Sequence, residues 1–515
     1  MTDIVSINPA TLETVGKVPI TPPAKVKDLV AKARAAQKDW ARLPVRERCD
    51  ILVAAASWLG ENADELARTI TIDNGKPLAE AMAQEVLPVI ELLRQTARTA
   101  PKAVRDLRVP IGIMGLMGRS STVERRPCGV VGIIAPWNYP FSIAAGQAAA
   151  ALAAGNAVVH KPSSHAPIAG GMVGAMFAGA GLPEGLFTTL SGDAETGRAV
   201  ISARVDKIAF TGSAAVGREA MRQAAESATP LLLELGGKDP MIVRADADID
   251  LASDGAVWGA FTNAGQACAS VERCYVHESI FEVFVELCVR KALALKLGNG
   301  MDPDVDVGPM TTLAQLEHVE EQLIDARARG ANVLCGGERD RSRVGFFMPP
   351  TVIAGVDHSF PIMRDETFGP VLALMPFSDD MQAAGLANDS AYGLSASIWT
   401  RDKKAARRMA AVIGAGTVMI NDCLSAHAIA GAPWGGVKLS GFGRSHGTAG
   451  IEEFTAPVHL HECRSSRKPF WWYPYDMGLV EGLSSLARRI PCGTISRLGA
   501  IPILARLLRR TRSSP

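Results

Sequence analysis

The feature that most constrains this chain is an alternation between residues 130 and 161. Val130-Val131-Gly132-Ile133-Ile134 is a short, largely β-branched run that opens into Ala135-Pro136-Trp137-Asn138. An Ala-rich stretch suited to a helix follows over 141–154, and then Ala157-Val158-Val159 runs into His160-Lys161-Pro162. Two buried strands separated by one helix return to the same sheet as a parallel crossover unit. The pattern continues with a helix over 167–180 and strands over 186–190 and 207–210. A second α/β region is expected from about 231–243 onward. Its helices fall over 250–264, 279–297, 312–329 and 403–413, and its strands over 273–276, 371–376, 396–400 and 416–421. Ahead of the alternation, Val26, Leu29, Val30, Ala33, Ala36 and Trp40 recur at helical spacing within 22–43. A second helical run covers 46–72, Asp73-Asn74-Gly75-Lys76-Pro77 is a stop and turn, and a third helix is expected over 78–100.

A length of 515 residues allows about three domains or lobes. The nine cysteines are scattered and odd in number, and the chain has no CxxC and no His-x-x-x-His pair. Reduced thiols are therefore expected, and no metal site. The start, MTDIVSINPA, has neither a basic region nor an apolar core of the secretory kind, so a cytoplasmic location is expected. No uncharged apolar stretch reaches the length needed to span a bilayer.

Four local patterns carry chemistry. In Asn263-Ala264-Gly265-Gln266-Ala267-Cys268-Ala269-Ser270, small neighbours leave the sulfur and the Cys268 N–H open to a carbonyl substrate; the alternative is an ordinary buried thiol. In Leu233-Glu234-Leu235-Gly236-Gly237-Lys238, a carboxylate in an apolar run is either a general base with a raised pKa or a structural group held by the Gly-Gly turn. Phe210-Thr211-Gly212-Ser213, with Gly217 four residues on, fits a helix N-terminus facing a pyrophosphate or a plain strand–turn–helix. Glu366-Thr367-Phe368-Gly369-Pro370 offers a carboxylate for ribose hydroxyls and a ring for a flat cofactor.

Taken together and in this order, over about residues 5–460, the chain resembles the NAD(P)-dependent aldehyde dehydrogenase superfamily. The resemblance also rests on Pro136-Trp137-Asn138-Tyr139-Pro140, Lys161-Pro162-Ser163 and Pro433-x-Gly435-Gly436-x-Lys438-x-Ser440-Gly441, and on the 34-residue step from Glu234 to Cys268. It implies a three-layer α/β fold. A Rossmann-like cofactor domain would take 1–110 and 129–234, an α/β catalytic domain 235–438, and a small oligomerisation arm 111–128 and 439–463. It also implies a homodimer or homotetramer. Cys268 would be the nucleophile, Asn138 the oxyanion donor and Glu234 the base that activates water. Trp137, Lys161, Gly212, Ser213, Gly217, Glu366 and Phe368 would bind NAD or NADP. Ser164 stands where many NAD-preferring members carry Glu, which removes repulsion against a 2′-phosphate; dual or NADP-leaning use and ordinary NAD use both remain open. Cys274 and Cys423 are expected to be structural.

The implied reaction is oxidation of an aldehyde, aliphatic or otherwise apolar, to the carboxylic acid through a thiohemiacetal and a thioester. A semialdehyde dehydrogenase of the succinic semialdehyde type is an alternative and needs a cation at the substrate mouth. A catalytically silent scaffold on this fold is a third reading. Residues 464–515 lie outside the resemblance. They hold ten Lys and Arg against Asp476 and Glu481, and Phe470-Trp471-Trp472-Tyr473-Pro474-Tyr475 packs five aromatics into six positions. Two Leu/Ile/Arg segments follow, over 479–489 and 495–512, with Pro491 and Pro502 expected to interrupt any helix. This composition suits peripheral membrane contact, or else a solvated tail docked on the enzyme. No nucleic-acid partner is expected.

Overall fold

The computed structural model describes residues 3–465, 468–489 and 500–510. They divide into two compact units, Met1–Arg105 with Arg125–Ala456, and Asp106–Glu124 with Pro457–Pro515.

In the first unit, a two-stranded antiparallel sheet (Asp3–Ile7 with Thr14–Pro19) and then helices α1 (Pro23–Trp40), α2 (Val45–Glu61), α3 (Ala63–Asn74) and α4 (Leu87–Ala103) precede the two larger sheets. On α1, Val26, Val30, Ala33 and Trp40 are buried, the stripe that the spacing predicts, and Trp40 Nε1 donates to the Leu152 carbonyl at 2.9 Å. The run over 46–72 is two helices, because the chain breaks at Asn62. The helix expected over 78–100 is divided too: a π-helical turn, Ala81–Val86, precedes α4. Gly75 ends α3 with φ at +102°, and a side chain there would strike Pro9 and Pro309.

The alternation then runs β1 (Val130–Ile134), α5 (Ser142–Ala153), β2 (Ala157–Lys161), α6 (Pro167–Gly179), β3 (Phe187–Thr189), α7 (Ala194–Ser202), β4 (Lys207–Gly212), α8 (Ala214–Ala225) and β5 (Leu231–Leu235). These strands form a parallel sheet in the order β5-β4-β1-β2-β3, with Gly441–Phe442 added antiparallel on β5. Every residue of α5 is buried, which explains its alanine content: small side chains let it lie between the sheet and α2 and α4. The core of α1–α4 is continuous with that of this sheet.

The segment 231–243, where the second α/β region is expected to begin, contains two strands. Gly236 and Gly237 separate β5 from β6 (Asp239–Val243), which opens the second sheet. There follow α9 (Ile249–Phe261), β7 (Val271–His277), α10 (Phe281–Ala294), α11 (Leu313–Ala328), β8 (Asn332–Cys335), β9 (Thr351–Ala354), β10 (Val371–Phe377), α12 (Asp380–Asn388), β11 (Ser395–Trp399), α13 (Lys403–Ala410) and β12 (Thr417–Ile420). The order is β8-β9-β10-β7-β6-β11-β12, parallel except for β8 on β9. Cys274, Cys288 and Cys423 are buried in its core.

The segments expected in the arm divide between the units: Gly441–Phe442 and the short helix Gly447–Glu452 belong to the first. The second unit has a small sheet in which Leu107 and Arg108 pair antiparallel with Val123 and Thr122. It also contains α14 (Met477–Arg489) and α15 (Ala500–Arg510). Pro502 does not break α15. It stands in the first turn, where its missing N–H has no partner to lose. Within the expected tail 464–515, residues 466–467, 490–499 with Pro491, and 511–515 lie outside the described residues.

Candidate active site

The loop after β1 carries Trp137 and Asn138, and three side chains, one from the last residue of α3 and two from the segment that follows it, fix it. Asn74 Nδ2 donates to the Trp137 carbonyl at 2.9 Å, and Lys76 Nζ to the Asn138 carbonyl at 2.8 Å. Lys76 also pairs with Glu85 at 2.7 Å, both side chains fully buried. The second Glu85 oxygen accepts from the N–H groups of Phe141 (2.9 Å) and Ser142 (3.1 Å), where α5 begins and the helix dipole favours a negative charge. Burial of this pair is tolerable because both charges have further hydrogen-bond partners.

Cys268 follows α9 through a tight loop. Asn263, Ala264 and Gly265 take φ of 51°, 53° and 71°, a left-handed succession that alanine adopts only at a cost. Hydrogen bonds hold it there. The Asn263 N–H donates to Glu80 (2.9 Å), Asn263 Nδ2 to the Asn138 carbonyl (3.0 Å), and Gln266 Nε2 to the Asn263 carbonyl (2.9 Å). Asn138 Nδ2 in turn donates to the Gln266 carbonyl at 3.0 Å, so the Asn138 amide and the cysteine loop are held against each other. Burial pushes the Cys268 thiol well above its ordinary range, and the negative charges of Asp239, Glu234 and Glu366 add to the shift.

Glu234 lies at the C-terminal end of β5, in register with Thr211 on one side and Gly441 on the other. It is buried, and its Oε1 has no hydrogen-bond partner among the described residues. Burial pushes its carboxyl up to about 7; the nearby Ser445 hydroxyl, which makes no hydrogen bond of good geometry, and the Arg444 charge oppose the shift.

The segment ahead of β10 is held by a second buried pair. Lys238 Nζ contacts Glu272 at 2.6 Å and Thr367 Oγ1 at 2.9 Å, and Glu272 accepts from the N–H groups of Thr367 (2.8 Å) and Phe368 (2.9 Å). This fixes Phe368 at φ of 51° and stands its ring edge-on to Trp137 at 5.5 Å. Glu366 accepts from the Gly237 N–H at 3.1 Å, and burial pushes its carboxyl up to about 8. The two glycines after β5 are required here: a side chain on Gly236 would strike the Glu366 carboxylate, and one on Gly237 the Cys268 carbonyl.

Two cavities meet at Cys268. The first, about 330 Å³, is bordered by Trp137, Asn138, Gly212, Ser213, Glu234, Glu366 and Phe368 as well as Cys268. The second, about 410 Å³, is bordered mainly by apolar groups, among them Ala83, Pro88, Trp258, Ala267 and Leu424. Ile143, His427 and Trp434 border both. Lys161 and Ser164 lie at and just beyond the C-terminal end of β2, outside the lining of the first cavity, and burial pushes the Lys161 ammonium down to about 8. Gly217 does not border the cavity. It is buried one turn into α8, where a side chain would strike Leu235, so its smallness sets helix-to-sheet packing.

The donor set fits a nicotinamide dinucleotide. Ser213 caps α8, and the N–H groups at such an end suit phosphate. Glu366, Phe368 and Trp137 border the first cavity together with Cys268. Sequence reasoning missed the residues that set this geometry: Lys76, Glu80, Glu85, Lys238 and Glu272. In sequence each is only a charged residue in a turn or a mixed run, which does not name its partner.

A family model described as the aldehyde dehydrogenase family matches residues 1–460. The chain is 41% identical, over 92% of its length and 89% of the relative's, to a 4,4'-diapolycopene aldehyde oxidase of Methylomonas sp. Among solved structures it is similar to a point mutant of the betaine aldehyde dehydrogenase of Staphylococcus aureus in complex with NAD+. That match has 34% identity, covers 92% of this chain and 96% of the other, and has a TM-score of 0.88. It is also similar to an NADP-dependent enzyme of E. coli, with 33% identity, 90% and 95% coverage and a TM-score of 0.85. A match of this extent, on the same fold, makes this chain a member of the aldehyde dehydrogenase family, an oxidoreductase that uses NAD or NADP.

Proposed function

We propose that the chain oxidises an apolar aldehyde to the free carboxylic acid through a covalent Cys268 intermediate. The observation that carries this reading is the position of Cys268 at the junction of two cavities, one bordered by Glu234 and the cofactor residues, the other apolar. Cys268 Sγ attacks the aldehyde carbon, giving a thiohemiacetal. Asn138 Nδ2 spends one N–H on the Gln266 carbonyl and has a second for the developing oxyanion, beside the Cys268 N–H. NAD(P)+, held by the cofactor residues when bound, would supply hydride acceptance; the Cys268 thiohemiacetal, on losing a hydride and its hydroxyl proton, becomes a thioester. Glu234 then takes a proton from water, which attacks the thioester carbon and releases the acid and the thiol. Lys161 and Ser164 are assigned to the adenosine ribose, Gly212 and Ser213 to the pyrophosphate, Glu366 to the nicotinamide ribose, and Trp137 and Phe368 to the nicotinamide ring. A homodimer or homotetramer, a cytoplasmic location and peripheral membrane contact through 464–515 belong to the same reading.

The lining of the second cavity supports an apolar substrate. Its charged group is Glu80, already engaged with Thr262 Oγ1 (2.7 Å) and the Asn263 N–H. Among the described residues no lysine or arginine borders it, which disfavours a dicarboxylic semialdehyde. The relative named for a diapolycopene aldehyde points the same way. Each methylene buried contributes ~0.8 kcal/mol, so kcat/KM is expected to rise about 4-fold per added carbon along a series of linear aldehydes. Steady-state NAD(P)H formation measures this; a preference for succinic semialdehyde over hexanal overturns the apolar assignment.

With Ser164 in place of a carboxylate, NADP+ is expected to be accepted as well as NAD+. The two kcat/KM values should lie within ~100-fold, about 2.7 kcal/mol. Ser164→Glu should lower the NADP+ value by ~10-fold or more and spare NAD+, as one repulsive charge at the 2′-phosphate requires. A wild-type preference for NAD+ beyond ~100-fold counts against the role of Ser164.

A further inference from the structure

The second unit presents a surface that the proposed reaction does not use. Helices α14 and α15 close on a small core of Phe470, Leu479, Leu486, Leu504 and Leu507, joined by Met117. Gly482 makes that closure possible, since a side chain there would strike Leu507. The inward faces are thus satisfied, yet a second apolar set points out. Trp472 is 58% exposed, Tyr473 72% and Met477 70%, and Tyr475, Val480 and Leu483 are exposed as well. Met477, Val480 and Leu483 recur every three residues and form one stripe along α14. The same unit carries exposed cations: Lys468 borders an open cleft of about 510 Å³ with Trp471, Trp472, Tyr473 and Tyr475, and Arg506 and Arg509 are exposed on α15.

Charge and apolarity together select the occupant. So many large apolar side chains left exposed in one small unit point to an interaction site. A second copy would bring the same excess of ten basic over two acidic residues in 464–515, and like-charged faces repel. A polyanion without an apolar phase would leave the Trp, Tyr, Met, Val and Leu side chains uncovered. An anionic bilayer satisfies both, because Trp and Tyr favour the headgroup level and amphipathic helices with basic flanks lie in the interface plane. None of the described helices is long and apolar enough to cross a membrane.

We propose that Trp472, Tyr473, Tyr475, Met477, Val480 and Leu483 dock this unit on an anionic phospholipid surface, with Lys468, Arg506 and Arg509 against the lipid phosphates. The proposal deepens the apolar-substrate reading, on which its purpose rests: it brings the enzyme to the phase into which apolar aldehydes partition. The contact itself is independent of which aldehyde is oxidised.

The test is flotation of the full chain with vesicles of equal phosphatidylserine and phosphatidylcholine, and with phosphatidylcholine alone. Wild type is expected to float with the mixed vesicles and to be released by salt. The triple variant W472A/Y473A/Y475A should lose most of the bound fraction. K468E/R506E/R509E should weaken binding by ~100-fold or more, about 5-fold for each cation lost near an anionic surface and further for each negative charge added. Turnover of propanal by each variant reports that the catalytic unit is folded, and should equal wild type. Should a variant fail to fold, the salt dependence of wild-type flotation decides the matter: binding that salt does not reduce overturns the role of the cations. Wild type that stays unbound, or flotation equal in wild type and both variants, overturns the proposal. So does light scattering that shows a larger oligomer dispersed by the aromatic variant with no vesicle binding, since the face then belongs to a second copy. Failure of the apolar-substrate reading would appear separately, in the aldehyde series.

Discussion

Cys268→Ala is expected to lower aldehyde oxidation by ~10⁵-fold or more, about 7 kcal/mol of transition-state stabilisation, because the covalent route is lost with its nucleophile. No other thiol can substitute. Cys268 is the cysteine that borders the two cavities among the described residues, whereas Cys274, Cys288 and Cys423 are packed into the core of the second sheet, with Cys423 Sγ donating to the Gly255 carbonyl at 3.3 Å. The variant should still bind NAD(P)+, since the residues assigned to the cofactor come from other segments. Cofactor fluorescence titration alongside NAD(P)H formation checks both points. Residual turnover above ~1% of wild type would mean that the reaction does not pass through this sulfur. Fast alkylation at one thiol, absent in the variant, gives the same answer without a substrate.

Glu234→Gln should leave the first half of the reaction and stop the second. The expected signature is a burst of about one NAD(P)H per active site followed by turnover reduced ~10³-fold, in the range that a positioned general base contributes. The pH dependence follows from the burial of Glu234, which pushes its carboxyl up to about 7. The carboxylate is the active form, so its fraction, and with it kcat, rises about tenfold per pH unit below that value and levels off above it. Glutamine cannot titrate, so the acidic limb should vanish in the variant. Rapid mixing at several pH values tests this. Wild-type turnover in the variant, with no burst, would remove Glu234 from thioester hydrolysis. The orphaned Glu234 Oε1 is the structural counterpart of this expectation: a carboxylate fixed by a full set of hydrogen bonds would be a weaker base, and this one is not so fixed.

Much of the architecture is legible in one dimension because periodicity is local. The β-branched runs over 130–134 and 157–161 and the Ala-rich helix between them follow from side-chain shape and spacing, and the first-turn position of Pro502 could have been recognised by the same rule. Other features depend on partners far along the chain. The segment 231–243 has apolar stretches on either side of Gly236-Gly237-Lys238-Asp239, and only the approach of Glu366 and the Cys268 carbonyl shows why glycine is required at 236 and 237, between one sheet and the next. Gly217 reads equally as a phosphate-facing or a packing glycine until Leu235 is seen against it.

The site divides the same way. The residue types at 138, 234 and 268 were open to the sequence, because their motifs are short and their order is a property of the chain. Which of them meet, and in what state, was decided by tertiary structure. Lys76 with Glu85 and Lys238 with Glu272 are ion pairs only because folding buries both members together, and the left-handed turn at 263–265 persists only because Glu80, Asn138 and Gln266 hold it. Sequence by itself determined the elements and the chemistry available to them, since propensity and side-chain identity are local properties. Burial, proton affinity and strain arise from distances between remote residues, and these the packed fold alone decided.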